Sequence, residues 1–331
     1  TEQTTDGSPL TREYVEGLRI FYAPGLSTAD SENPSRPRER AGYLEQFLNP
    51  MIEAGKIGNG KGSSRLDDRK FRFDKAITTV GGIPGPGWML GERYNELEIR
   101  LGITHYKECA DCRAWDAEKR GEMIRRGEEM FNEPYAFFTR GCGIEVTPIT
   151  SNGTIFVGKR RGKSEATDGS FAGLLGAVNG WVNYIEDVGN IVTGTVADTL
   201  ELMTEGTAHG HEGINVDFRK DALRETKEEF GILPEEVNKL IFAGVYSAPT
   251  LSDADFTYLA QTNLPREFFT SGKYKETRRD KEHEGFIEIA TYQDMQELLK
   301  SGTLPGHEGQ FNLLYSLRAS LEQIRPGEMA N

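Results

Sequence analysis

The segment Asp221–Ile232, reading DALRETKEEFGI, constrains the chain more than any other. At 100° per residue, Leu223, Thr226 and Phe230 fall on one face of a helix, with Ala222 and Phe218 at its edge. Asp217 stands where an N-cap is wanted, and Gly231 where a left-handed residue stops a helix. Beside the apolar face, Glu225, Glu228 and Glu229 lie at i, i+3 and i+4, within an arc of about 100°. Like charges so spaced cost roughly 0.2–0.5 kcal/mol per pair. Their place in the last turns, at the negative end of the helix dipole, costs roughly 0.3–1 kcal/mol more. Two readings follow. The acids form a solvated face of an ordinary surface helix, or they are held together by a hard divalent cation, Mg²⁺ or Mn²⁺.

Strand patterns lie on both sides of this helix. Gly143–Thr150 and Thr154–Arg161 read as strands joined by Ser151-Asn152-Gly153, and Asn-Gly is a strong hairpin signal. Leu240–Tyr246, Asp255–Thr262 and Gly285–Ala290 read as further strands, with an acidic linker at 252–255 and a charged loop at 268–282. Ala114–Asn132 reads as a helix, with Ala117, Met123, Ile124 and Met130 inward. Tyr292–Lys300 and Phe311–Ile324 read as helices too, and the last seven residues as a frayed end. Towards the N-terminus, Arg19 to Tyr22 reads as a strand and Tyr43–Ala54 as an amphipathic helix. The pattern is that of an α/β chain.

Several classes of function are excluded or disfavoured. A net charge of −13 over 331 residues argues against unassisted binding to nucleic acid or an anionic membrane. No apolar run approaches a membrane span, and the polar N-terminal residues lack a signal pattern. Three cysteines suit a reducing cytosol, so a cytoplasmic protein is expected. Negative charge does not bar a small phosphorylated metabolite carried with a metal, and a homodimer stays open.

Other motifs are weaker. The glycine-rich stretches at 58–64 and 81–88 fit neither a phosphate loop nor a dinucleotide fingerprint, and read as turns. His105, Cys109 and Cys112 have partial zinc spacing but lack a fourth ligand, which favours buried thiols. His209 and His211 are one residue apart, so joint chelation needs a loop. Lys159, Arg160, Arg161 and Lys163 form a basic strand end, solvated or facing a phosphate.

The order Arg224-Glu225-x-x-Glu228-Glu229-x-Gly231-Ile232 resembles the second half of the Nudix hydrolase box, with Thr226 in place of an aliphatic residue. The family's first box glutamate would fall on Val216, with Asp217 and Glu212 nearby but out of register, and its box glycine on Gly210. Alternatively, Gly180 in the glycine-containing stretch 171–183 is the equivalent glycine, and residues 184–212 are an insertion splitting the box.

The resemblance covers Phe137 to Ile324. It implies a mixed sheet sandwiched by helices over 137–331, preceded by an N-terminal α/β region, 1–136, of unassigned role. It implies metal-dependent hydrolysis of a nucleoside diphosphate-linked or other diphosphate compound. Glu225, Glu228 and Glu229 would be metal ligands, and Arg224 would orient a glutamate. Glu284, or failing it Glu282, would complete the shell or take a proton just before a strand. With Val216 in place of a ligand, a ligand-binding module or a non-hydrolytic enzyme on the same scaffold stands as the alternative.

Overall fold

The computed structural model describes residues 17–22, 69–80, 95–105, 109, 112–113, 115–161, 173–181, 214–215, 218–248, 250, 252–278 and 283–330. The expected helix at 43–54, the glycine-rich stretches, the insertion at 184–212, and Lys163, His209, Gly210, His211, Glu212, Val216, Asp217 and Glu282 lie outside them.

Among the described residues eleven strands join one mixed sheet. The chain runs β1 (Gly17–Tyr22), β2 (Arg69–Val80), β3 (Asn95–His105), α1 (Ala117–Phe131), β4 (Gly141–Ile149), β5 (Ile155–Arg160), β6 (Leu175–Gly176), β7 (Val178–Trp181) and β8 (Ile214–Asn215). Then come α2 (Phe218–Phe230), β9 (Val237–Ser247), β10 (Asp253–Thr262), β11 (His283–Ile289), α3 (Tyr292–Ser301) and α4 (Tyr315–Glu322). β4 is the hub. It lies parallel to β10 along its whole length and antiparallel to β7 over residues 143–146. β2 and β5 meet its two ends, at Arg72↔Gly141 and Ile149↔Ile155. β5 pairs with β11, and β10 with β9.

Alternation along the central strands separates two faces. On one, Cys142, Ile144 and Val146 of β4 and Ala254, Phe256 and Tyr258 of β10 pack with Phe218, Ala222 and Phe230 of α2. On the other, Ile149, Ile155, Val157 and Leu259 pack with Met295 and Leu298 of α3 and Leu317 and Leu321 of α4. The result is three layers, helix–sheet–helix, as the resemblance implied.

The helix ends follow local chemistry. Asp116 caps α1 by accepting from the Lys119 amide at 2.8 Å. Thr291 and Asp294 form a reciprocal capping box at the start of α3. Gly231 ends α2 with φ of 73°, and a Cβ there would fall 2.4 Å from the Tyr274 carbonyl oxygen. The left-handed stop expected there is present, and it admits glycine for both reasons.

β2 and β3 were not anticipated, although Leu97, Ile99, Leu101 and Ile103 alternate along β3. They carry the sheet across residue 136 without a break. The Phe73 amide donates to the Arg140 carbonyl at 2.9 Å. The buried Arg72 guanidinium donates to the carbonyls of Phe138 and Tyr135 and pairs with Asp74.

Other expectations need correction. α4 begins at Tyr315, because Leu313 bridges to Leu175 in extended form. The charged 268–282 stretch contains two single-turn helices, Glu267–Thr270 and Tyr274–Thr277. Met130 is 40% exposed rather than inward, while Met123 is buried. The C-terminal residues are tied down: Ala330 donates to Gly153 and accepts from Tyr292, and Met329 is buried. Cys109, Cys112 and Cys142 are buried, and burial holds the thiols of Cys109 and Cys142 above the usual range.

Candidate functional site

On α2 the apolar face is rotated from the expected one. Phe218, Ala222, Thr226, Glu229 and Phe230 are buried, and Leu223 is only half-buried. Thr226 fits the buried side because its hydroxyl donates back to the Ala222 carbonyl at 2.6 Å, so no polar atom is stranded.

Beside this face runs a charged stripe, Asp221, Arg224, Glu225 and Glu228, at i, i+3, i+4 and i+7. Arg224 is its centre. It donates to Asp221 Oδ1 at 2.9 Å, to Glu225 Oε1 at 2.9 Å and to Glu228 Oε2 at a looser 3.5 Å. Exposure grades along the stripe, from 3% for Asp221 and 12% for Glu225 to 37% for Glu228. Burial pulls the Arg224 pKa down, but Glu225 and Asp221 outweigh it and the net shift is upward. Arg224 thus contacts both Glu225 and Glu228, and Asp221 is a third partner that the sequence reading missed. Its signal was a carboxylate three residues before the arginine.

Glu229 is apart from the stripe. It is 2% exposed, and its Oε2 lies 3.8 Å from Nδ1 of His283 on β11. Burial, then Arg160 and Arg278, push the His283 pKa well below the usual histidine value, so the ring is neutral and the pair is not a salt bridge. His283 was also missed. Its only trace in the sequence is its place before Glu284. A register shift between His283 and Gly285 sets a bulge at Glu284. Glu284 is half exposed and 3.6 Å from Lys159 Nζ, so the structure joins it to the basic strand end rather than to the α2 acids.

The acidic linker at 252–255 does not border α2. Asp253 and Asp255 lie in β10, buried, on the alternate side from Ala254 and Phe256. Asp253 is gripped by Arg113, with contacts of 3.1–3.2 Å. Asp255 accepts from the Tyr315 hydroxyl at 2.5 Å, and Glu145 of β4 accepts from Ser316. Burial, then the charge of Asp253, raises the Asp255 pKa to about 7, and burial raises that of Glu145 well above its ordinary value.

The residues on α2 suit Mg²⁺ or Mn²⁺ in donor chemistry, since both take carboxylate oxygens. Four carboxylates, Asp221, Glu225, Glu228 and Glu229, stand on this helix with four basic residues, Arg219, Lys220, Arg224 and Lys227, and Arg224 contacts three of the four acids. Among the described residues no three His, Cys, Asp or Glu side chains converge as a ready ligand set. Cation binding therefore needs Glu228 and Glu225 to re-aim, and the 3.5 Å contact to Glu228 is the weakest restraint.

No family model and no curated protein matches this chain. Among solved structures, similarity is found to a crystal structure of an ADP compounds hydrolase. It is 16% identical, with a TM-score of 0.28, over 55% of this chain and 69% of that one. Similarity at this level carries no weight on fold or function. Among the described residues no helix is long and apolar enough to cross a membrane.

Proposed function

We propose that this chain is a metal-dependent hydrolase of a small molecule containing a diphosphate, such as a nucleoside diphosphate linked to a second group. The observation that carries the reading is the Arg224 fork on Glu225 and Glu228, with Glu229 buried beside it, in the residue order of the Nudix box. Glu225, Glu228 and Glu229 would hold Mg²⁺ or Mn²⁺. The bound ion would neutralise bridging phosphate oxygens and lower the pKa of an attacking water. Arg224 holds Glu225 and, more loosely, Glu228, and both carboxylates would turn toward the ion on binding. Glu284 is the proposed proton acceptor, for which it must leave Lys159.

A second reading, a ligand-binding module without turnover, is favoured by Val216 at the position of the first box glutamate. Release of phosphate or mononucleotide from a panel of diphosphates separates the two. The wild type should cleave at least one of them. Glu229→Gln should lower that rate by at least about a hundredfold, the equivalent of several kcal/mol of lost charge stabilisation. Metal binding without cleavage of any panel member supports the second reading.

A further inference from the structure

Across the β5–β11 pair, a Cβ on Gly158 would fall 2.1 Å from His283 Cδ2. The imidazole thus lies over bare backbone, and only glycine at 158 makes room for it. The ring is enclosed, edge-on to Phe230 at 5.7 Å and tilted against Phe286 at 6.1 Å. Among the described residues neither ring nitrogen has a hydrogen-bond partner. Each buried polar group left so costs stability, and a leucine would suit these aromatic walls better. One feature sets the position apart from an apolar core site: Nδ1 faces Glu229 Oε2 at 3.8 Å. That is too long for a hydrogen bond, and the carboxylate must turn to close it.

We propose that His283 is the positioning residue for Glu229. Its ring, donating through Nδ1, takes up one carboxylate oxygen and leaves the other for the cation when Glu229 engages one. The proposal rests on the reading of Glu229 as a metal ligand. The physical need is general, because a ligating carboxylate held by an outer donor is fixed in direction, and losing that donor weakens metal affinity about 10–100-fold.

The test is calorimetry with Mn²⁺ alone on the full chain, for the wild type and for His283→Leu, His283→Gln and His283→Asn, each first shown folded by its melting curve. The asparagine amide nitrogen sits near the place of Nδ1, and the glutamine amide nitrogen near that of Nε2. Leucine and glutamine should weaken Mn²⁺ binding about tenfold or more, and asparagine should restore it to within about threefold of wild type. In turnover, kcat should fall in the same order with KM little changed. Wild-type affinity in His283→Leu overturns the proposal while leaving the hydrolase reading intact, as does equal weakening by glutamine and asparagine. If the leucine variant does not fold, asparagine against glutamine still decides. A wild type that binds no Mn²⁺ removes the hydrolase reading and this proposal with it.

Discussion

Asp221, Glu225 and Glu228 gather around a guanidinium at the edge of α2, whereas Glu145 and Asp255, on the opposite face of the sheet, are met by hydroxyls from α4. Both are crowded acid sets, and the fold treats them differently. Beside α2, solvent reaches Glu228, and Arg224 contacts all three carboxylates. Beneath α4, burial favours the protonated carboxyl, and Tyr315 and Ser316 supply donors that offset it only in part. A divalent cation needs ionised oxygens, which burial disfavours beneath α4.

Breaking the first set should have the largest effect on stability. Arg224→Ala strips buried Asp221 of its ion pair and Glu225 of one partner, and should cost about 2–4 kcal/mol in urea unfolding. Adding Asp221→Asn should recover part of that loss, because one stranded charge disappears.

The second set should show itself in the pH dependence of stability. The Asp255 carboxyl titrates higher in the folded chain, about 7, than its ordinary 3.8. The folded state therefore binds the proton more tightly than the unfolded one. The resulting stabilisation is complete below pH 3.8, declines as pH rises, and is gone once pH passes about 7. Asp255→Asn should flatten that decline, removing on the order of 2 kcal/mol of pH-dependent stability in melts between pH 4 and 8. An unchanged slope would mean that Asp255 stays ionised and that the two sets do not differ.

Glu284 belongs to neither set. Glu284→Gln should alter stability by no more than about 0.5 kcal/mol, as expected for an exposed pair. Turnover should still fall, if Glu284 takes the proton.

How legible all this was in the sequence depends on the range of the interaction. Short-range signals held: the Ser151-Asn152-Gly153 hairpin and the Gly231 stop are fixed by neighbours within one or two turns. β3 was legible too, from the period-two run Leu97 to Ile103, and was passed over. The facing of Glu229 and His283 was not legible, because the two meet across 54 positions through strand register. Nor was the buried state of Asp255. It follows from the docking of α4 through Tyr315, and a run of acids before a strand reads in sequence as a solvated linker.

The most direct measurement of the central claim is the Mn²⁺ binding isotherm, by electron paramagnetic resonance, of the wild type beside Glu225→Gln and Glu228→Gln. Saturable binding by the wild type, weakened at least about tenfold in each variant, is the expected result. Wild-type binding left untouched by both substitutions, or no binding at all, contradicts the assignment of these carboxylates to a cation.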